Sequence, residues 1–255
     1  RICLRLSPSG LRAIAGALYG AAGPIGQEVG RLPFRTLRMA SRGMKFRYIA
    51  IEGVIGVGKT TLVEALAERL DATQVLEEWE ENPFLKPFYD GKPHSAFQTE
   101  LFFLLSRYRQ QRELVQRKLF ADTLVADYVF EKSRLFAYLN LDDSDLLIFD
   151  KLYAALAEGL PKPDVVIYLQ APTEMLMRRI QGRGRPEERG IEREYIAELG
   201  QAYSHYYFHY DATPLLVVNT EDVDFSKRPE DVDDLLKQLR TLSGGTQYYT
   251  ARPRG

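Results

Sequence analysis

The run KFRYIAIE leads into Gly53-Val-Ile-Gly-Val-Gly-Lys-Thr-Thr61, which matches G-x-x-x-x-G-K-[ST] with Gly53, Gly58, Lys59 and Thr60 in the fixed places. The glycines let backbone N–H groups turn inward around phosphate oxygens. The helix that follows presents its positive end to the same anion. Lys59 adds a point charge, and the Thr60 hydroxyl is a ligand for Mg²⁺. Gly53, Val54, Ile55, Gly56, Val57, Gly58, Lys59, Thr60 and Thr61 are therefore the expected nucleotide cradle. The motif by itself does not choose among a kinase, a GTPase and a motor.

A second group able to act on phosphate is Met177-Arg-Arg-Ile-Gln-Gly-Arg-Gly-Arg-Pro-Glu-Glu-Arg-Gly-Ile191. Arg179 and Arg183 are four apart and share a helix face. Arg183 and Arg185 straddle a glycine in an expected loop. Fixed guanidinium forks stabilise charge on a migrating phosphoryl group, and a lid carrying them excludes water.

An acceptor hydroxyl needs a base beside its oxygen. Leu76-Glu-Glu-Trp-Glu-Glu-Asn-Pro-Phe-Leu85 supplies Glu77 or Glu78 after a strand, where ligands bind in open α/β sheets. Asp127 ends the third strand and suits Mg²⁺ or a water ligand. Gln98, in Ser95-Ala-Phe-Gln-Thr99, has the paired donor and acceptor needed to read a base edge.

The elements that must hold these residues follow from the apolar pattern. Runs at Tyr48–Ile51, Gln74–Leu76, Thr123–Ala126, Val165–Leu169 and Leu215–Val218 read as strands. Helical patterns cover roughly 59–70, 93–118, 130–138, 143–158, 173–182, 192–209 and 229–242. Apolar strands alternating with helices predict a parallel sheet covered on both faces. His205 and His209 lie four apart, but Tyr203, Tyr206, Tyr207, Phe208 and Tyr210 surround them. An aromatic packing or dimer face is expected there rather than a metal site.

The chain has 255 residues, 45% hydrophobic and 27% charged, which are globular values. Its net charge of −1 conceals an asymmetry: residues 1–43 hold seven arginines, no lysine and one acid, and the rest carries −7. That acidic balance disfavours non-specific nucleic-acid binding. The longest uncharged apolar run, Ala13–Gly26, is too short and glycine-rich for a membrane span. One cysteine, Cys3, excludes an internal disulfide framework and fits a reducing compartment. Residues 1–43 are expected to be a disordered or non-native extension, with a start at Met44. The competing reading is a mitochondrial transit peptide. One domain is expected over 44–242, and a flexible tail over 243–255.

From about Met44 to Leu242 the chain resembles the deoxynucleoside kinases, and most of all the bacterial purine deoxynucleoside kinases. The resemblance rests on IEGVIGVGKTT, EEWEENPFL, FYDG, SAFQTELFF, VADYVFEKS, LPKPDVVIYLQA, RRIQGRGRPEE and NTEDVDF. It implies a P-loop kinase three-layer α/β sandwich with a five-stranded parallel sheet and an arginine-rich lid. It also implies ATP as donor, Mg²⁺, a cytoplasmic homodimer, and phosphorylation of a deoxynucleoside 5′-hydroxyl in nucleotide salvage. By the same resemblance Glu77 matches the general base. Tyr89 matches the residue at the sugar 3′-hydroxyl, Gln98 the base reader, and Asp127 the acid near Mg²⁺ and the 5′-oxygen. Arg179, Arg183 and Arg185 match the phosphate clamp, Glu188 the lid acid, and Asp224-Phe225 the loop around the donor adenine.

Two residues depart from the pattern. Tyr128 stands where many members have arginine after the acid. Lys132 stands where deoxycytidine-type members have a base-discriminating aspartate, which favours a purine. A nucleoside monophosphate kinase is the nearest alternative, and a catalytically silent structural relative is another; the intact phosphate loop and lid oppose the second.

Overall fold

A computed structural model describes residues 44–116 and 123–251. The expectations for residues 1–43 lie outside the described residues. So does the end of the second predicted helical stretch, beyond 116.

Strand β1, Tyr48–Gly53, is buried along its whole length. It sits in mid-sheet, pairing in parallel with β3 (Leu124–Ala126) on one side and β4 (Val165–Gln170) on the other. A strand covered on both faces needs a continuous apolar run, which YIAI supplies. The remaining strands are β2 (Thr73–Val75), β5 (Leu215–Asn219) and β6 (Thr246–Thr250), in the order β2-β3-β1-β4-β5-β6, all parallel. The chain leaves β1 towards β2 and β3 and later returns to fill the other side. That reversal opens a crevice at the carboxyl end of β1, where ligands bind in such sheets.

The sheet therefore has six strands, not the five expected. Thr246–Thr250 lies within the stretch read as a tail. In Thr-Gln-Tyr-Tyr-Thr alternate residues face solvent, Tyr249 packs on the core and Tyr248 is exposed. An edge strand with one half-covered face shows no apolar run, so it reads as a polar tail.

Helix α1, Lys59–Leu70, follows the loop after β1 and buries Leu62, Val63, Leu66, Ala67 and Leu70. The short α2 is Leu85–Tyr89 and the long α3 Ser95–Gln116. Next come α4 (Lys132–Asn140) and α5 (Asp143–Ala157), the latter capped by the Asp142 carboxylate, which accepts from the N–H groups of Ser144 and Asp145. Helix α6, Thr173–Arg183, ends at Gly184 with φ of 66°, a left-handed stop that glycine adopts freely. A 3₁₀ turn at Pro186–Gly190 separates it from α7, Arg193–Phe208. Helix α8, Pro229–Thr241, joins β5 to β6.

The aromatic helix packs on the sheet with one side, as expected: Tyr203 and Tyr207 are buried, and the Tyr207 ring stacks on Tyr168 with centroids 4.4 Å apart. Its Phe208 is exposed. Further exposed apolar side chains lie on α3 and α5, at Leu105, Leu147, Ile148 and Leu152. Among the described residues no helix is long and apolar enough to cross a membrane.

Candidate active site

The loop after β1 takes its shape from three glycines with positive φ, Gly53 at 146°, Gly56 at 84° and Gly58 at 104°. At Gly53 a Cβ would lie 2.5 Å from the Leu169 carbonyl oxygen, so the close approach of β1 to β4 permits only glycine. Gly58 precedes α1, whose first N–H groups receive no side-chain cap. They point into a cleft of about 570 Å³, a size suited to small-molecule ligands. Residues 55–61 line it. Gly53 and Val54 do not, although the Lys59 ammonium donates to their carbonyl oxygens at 2.8 and 3.2 Å. Burial and then the nearby Lys132 ammonium bring the Lys59 pKa down to about 8.

Behind the loop, Glu52 is completely buried. Its carboxylate accepts from the N–H of Val129 and Gly53 and from the Tyr203 hydroxyl, which ties β1 to β3 and α7. Burial raises its pKa. The Thr60 hydroxyl donates to Asp127 Oδ2 at 3.1 Å, and Asp127 Oδ1 accepts from the Glu77 N–H at 2.8 Å. Burial first, and then the Glu77 carboxylate, push the Asp127 pKa up. A buried carboxylate held beside a hydroxyl, costly to keep charged alone, is a donor set that suits a hard divalent cation.

Of the two candidate bases, Glu77 lines the cleft. Its Oε1 accepts from Arg107 Nε and Nη2 at 2.8 and 2.5 Å, and its Oε2 from Lys132 Nζ at 2.7 Å. Burial pushes this carboxyl up, but the two cations outweigh burial and hold it down at about 2. Glu78 does not line the cleft; its carboxylate is held by Ser106 and Arg109.

Arg107 was not identified from the sequence, and Lys132 only as a departure from a related pattern. Tyr128, in the place of the absent arginine, is fully buried and donates to Gln110 at 2.6 Å. Arg107 supplies the guanidinium from α3 instead. The structure does not bring Gln98 to the cleft: it is exposed and lines nothing there. Gln98 and Arg107 are nine residues apart, two and a half helical turns, so they leave opposite sides of α3. Phe103 and Arg107, one turn apart, are the α3 residues that line the cleft.

Tyr89 and Trp79 complete the acceptor wall, and Arg179, Arg183, Arg185 and Glu188 the lid. Arg183 Nε and Nη2 bond the Glu188 carboxylate at 2.7 and 2.5 Å. Arg179 donates to the Val57 carbonyl and to Thr220, bridging the phosphate loop to the end of β5. Burial lowers its pKa. Asp224 and Phe225 line the far end. The Asp224 carboxylate accepts from Ser226 and from the Lys227 N–H, so this side chain shapes its own loop and leaves backbone groups facing the cleft. The lid meets α2 closely: a Cβ on Gly190 would fall 2.5 Å from the Tyr89 carbonyl oxygen.

A family model described as "Deoxynucleoside kinase" matches residues 49–243. The chain is 40% identical over 157 residues to a deoxyguanosine kinase of Bacillus subtilis, covering 61% of this chain and 76% of that protein. It is 30% identical over 202 residues to a deoxyadenosine/deoxycytidine kinase of the same organism, covering 76% and 92%. A solved deoxyadenosine kinase from M. mycoides with bound dATP superposes with a TM-score of 0.65 at 25% identity, over 76% of this chain and 99% of that one.

Proposed function

The chain belongs to the deoxynucleoside kinase family, and from that premise we propose how its cleft carries the ATP γ-phosphoryl group to the 5′-hydroxyl of a purine deoxynucleoside. The observation that carries the reading is the continuity of one cleft. It joins the glycine loop with Lys59, the Glu77 carboxylate and the lid arginines.

The triphosphate lies along residues 55–61, where α1 and Lys59 meet its charge, and the adenine end reaches the loop at Asp224 and Phe225. The nucleoside lies between Tyr89, Phe103 and the Glu77–Arg107–Lys132 group. Glu77 accepts a hydrogen bond from the 5′-hydroxyl, orients it in line and takes its proton. A carboxyl held near 2 is a weak base for a free alcohol. It suffices here because phosphoryl transfer runs through a loose transition state, and the proton leaves after the new P–O bond has begun to acidify the oxygen. Arg183 and Arg185 face the charge spread over the migrating group, and Arg179 braces the loop beneath it. Thr60 and Asp127 are the residues that would hold Mg²⁺, directly or through water; the bound ion would supply charge neutralisation to the phosphoryl oxygens.

Arg107 spends three of its N–H groups on Glu77 and Ser133, which ties its guanidinium to the carboxylate that faces the acceptor. The reading extends to a homodimer, supported by the exposed apolar face of Leu105, Leu147, Ile148 and Leu152, and to the cytoplasm, supported by the bacterial relatives. Residues 44–242 form one kinase domain in this reading, with β6 as an added edge. The test is ATP consumption with deoxyguanosine, deoxyadenosine, deoxycytidine and thymidine, and the products identified. Formation of purine 5′-monophosphates is expected; consumption confined to a nucleoside monophosphate contradicts it.

A further inference from the structure

The lid arginines are held by different chemistry. Arg183 spends two N–H groups on Glu188. The Arg185 guanidinium sits over an aromatic ring, its central carbon 3.9 Å from the centroid of Trp79. Its nearest acid is Glu188, at 3.7 Å, beyond a hydrogen bond. An ion pair uses the edge of a guanidinium, where the donors are. Stacking uses its face and leaves the in-plane N–H groups free for phosphoryl oxygens.

The ring is well placed to act as a platform. Trp79 opens the 3₁₀ turn Trp79–Glu81, two residues after Glu77, and both side chains line the cleft. Glu78 between them is anchored away from the cleft by Ser106 and Arg109, which fixes the turn. A single short segment thus carries the carboxylate facing the acceptor and the indole facing the lid.

We propose that Trp79 is the positioning residue for Arg185: its indole face holds the guanidinium flat, edge free, and aims it from the same turn that carries Glu77. This deepens the kinase reading and rests on it for the identity of the anion that Arg185 meets. Arg185 already rests on Trp79 without ligand, and an arginine on its platform needs no reorganisation when charge develops beside it.

Trp79 is the only tryptophan in the chain, so the contact can be read without turnover. Emission of the unliganded protein changes on Arg185→Ala. Trp79→Leu lowers kcat about tenfold, roughly the value of one desolvated cation–π contact. Trp79→Phe keeps a ring face and restores kcat to within about threefold of wild type. In the Trp79→Leu background, Arg185→Ala costs less than it does in wild type. Emission indifferent to Arg185, Trp79→Leu turning over like wild type, or Trp79→Phe no better than Trp79→Leu overturns the proposal. Wild-type turnover in the same assay tests the kinase reading separately; if it fails, the emission comparison still decides the contact.

Discussion

Lys132 Nζ stands 2.7 Å from Glu77 Oε2, while the Arg107 guanidinium occupies the opposite oxygen. One carboxylate at the centre of the acceptor wall therefore faces two cations. Burial, and after it the same Lys132 ammonium, depress the pKa of Lys59. Lys132 thereby acts on both Glu77 and Lys59.

The lowered Lys59 pKa sets an alkaline limit. Lys59 is charged below its pKa of about 8 and loses its proton above it. The value of kcat/KM for ATP, which reports the free enzyme, is expected to fall as pH rises through about 8. Lys132→Met removes a like charge, so this limb moves to higher pH. A limb that stays in place in Lys132→Met means that Lys59 is not the titrating group.

The ion-paired group also stabilises the fold. Arg107 is 3% and Glu77 16% exposed, so removing Arg107 breaks a buried two-pronged pair and leaves Lys132 on the Glu77 carboxylate. Arg107→Met is expected to cost about 3–5 kcal/mol in urea unfolding. Combining it with Glu77→Gln costs clearly less than the sum of the two, because the charges share one network. Additive losses show that the pair is not coupled.

At the lid, Gly190→Ala places a methyl 2.5 Å from the Tyr89 carbonyl, a backbone atom with no rotamer to yield. The lid turn has to lift from α2. The expected outcome is a raised KM for both substrates and a kcat down about tenfold, since a misplacement near 1 Å already costs up to a hundredfold. Unchanged kinetics mean that the turn does not close against Tyr89 during catalysis.

The donor half of this site was legible in the sequence because its chemistry is local. Three glycines, a lysine and two threonines lie in nine residues between a strand and a helix, and the fold preserves that order. The acceptor half was only partly legible. Glu77, Arg107 and Lys132 are brought together by β2, α3 and α4, and no local pattern links positions so far apart. Gln98 stands exposed on the other side of α3 from Phe103 and Arg107, because a local motif carries no information on which side of a helix meets the cleft. The one-turn spacing of Phe103 and Arg107 holds that phase. The sixth strand was missed for the reason that exposes it: a half-covered edge has no apolar run to read.

The claim at the centre of this account is that Glu77 takes the proton of the 5′-hydroxyl. It is tested most directly by single-turnover transfer from ATP to deoxyguanosine in Glu77→Gln, with nucleoside affinity measured on the same preparation. The amide keeps an acceptor oxygen and loses the proton-accepting charge. Affinity within about threefold of wild type is expected, with transfer slowed by about 10²–10⁴-fold, the range for a missing general base. Transfer at the wild-type rate by a variant that still binds nucleoside contradicts it.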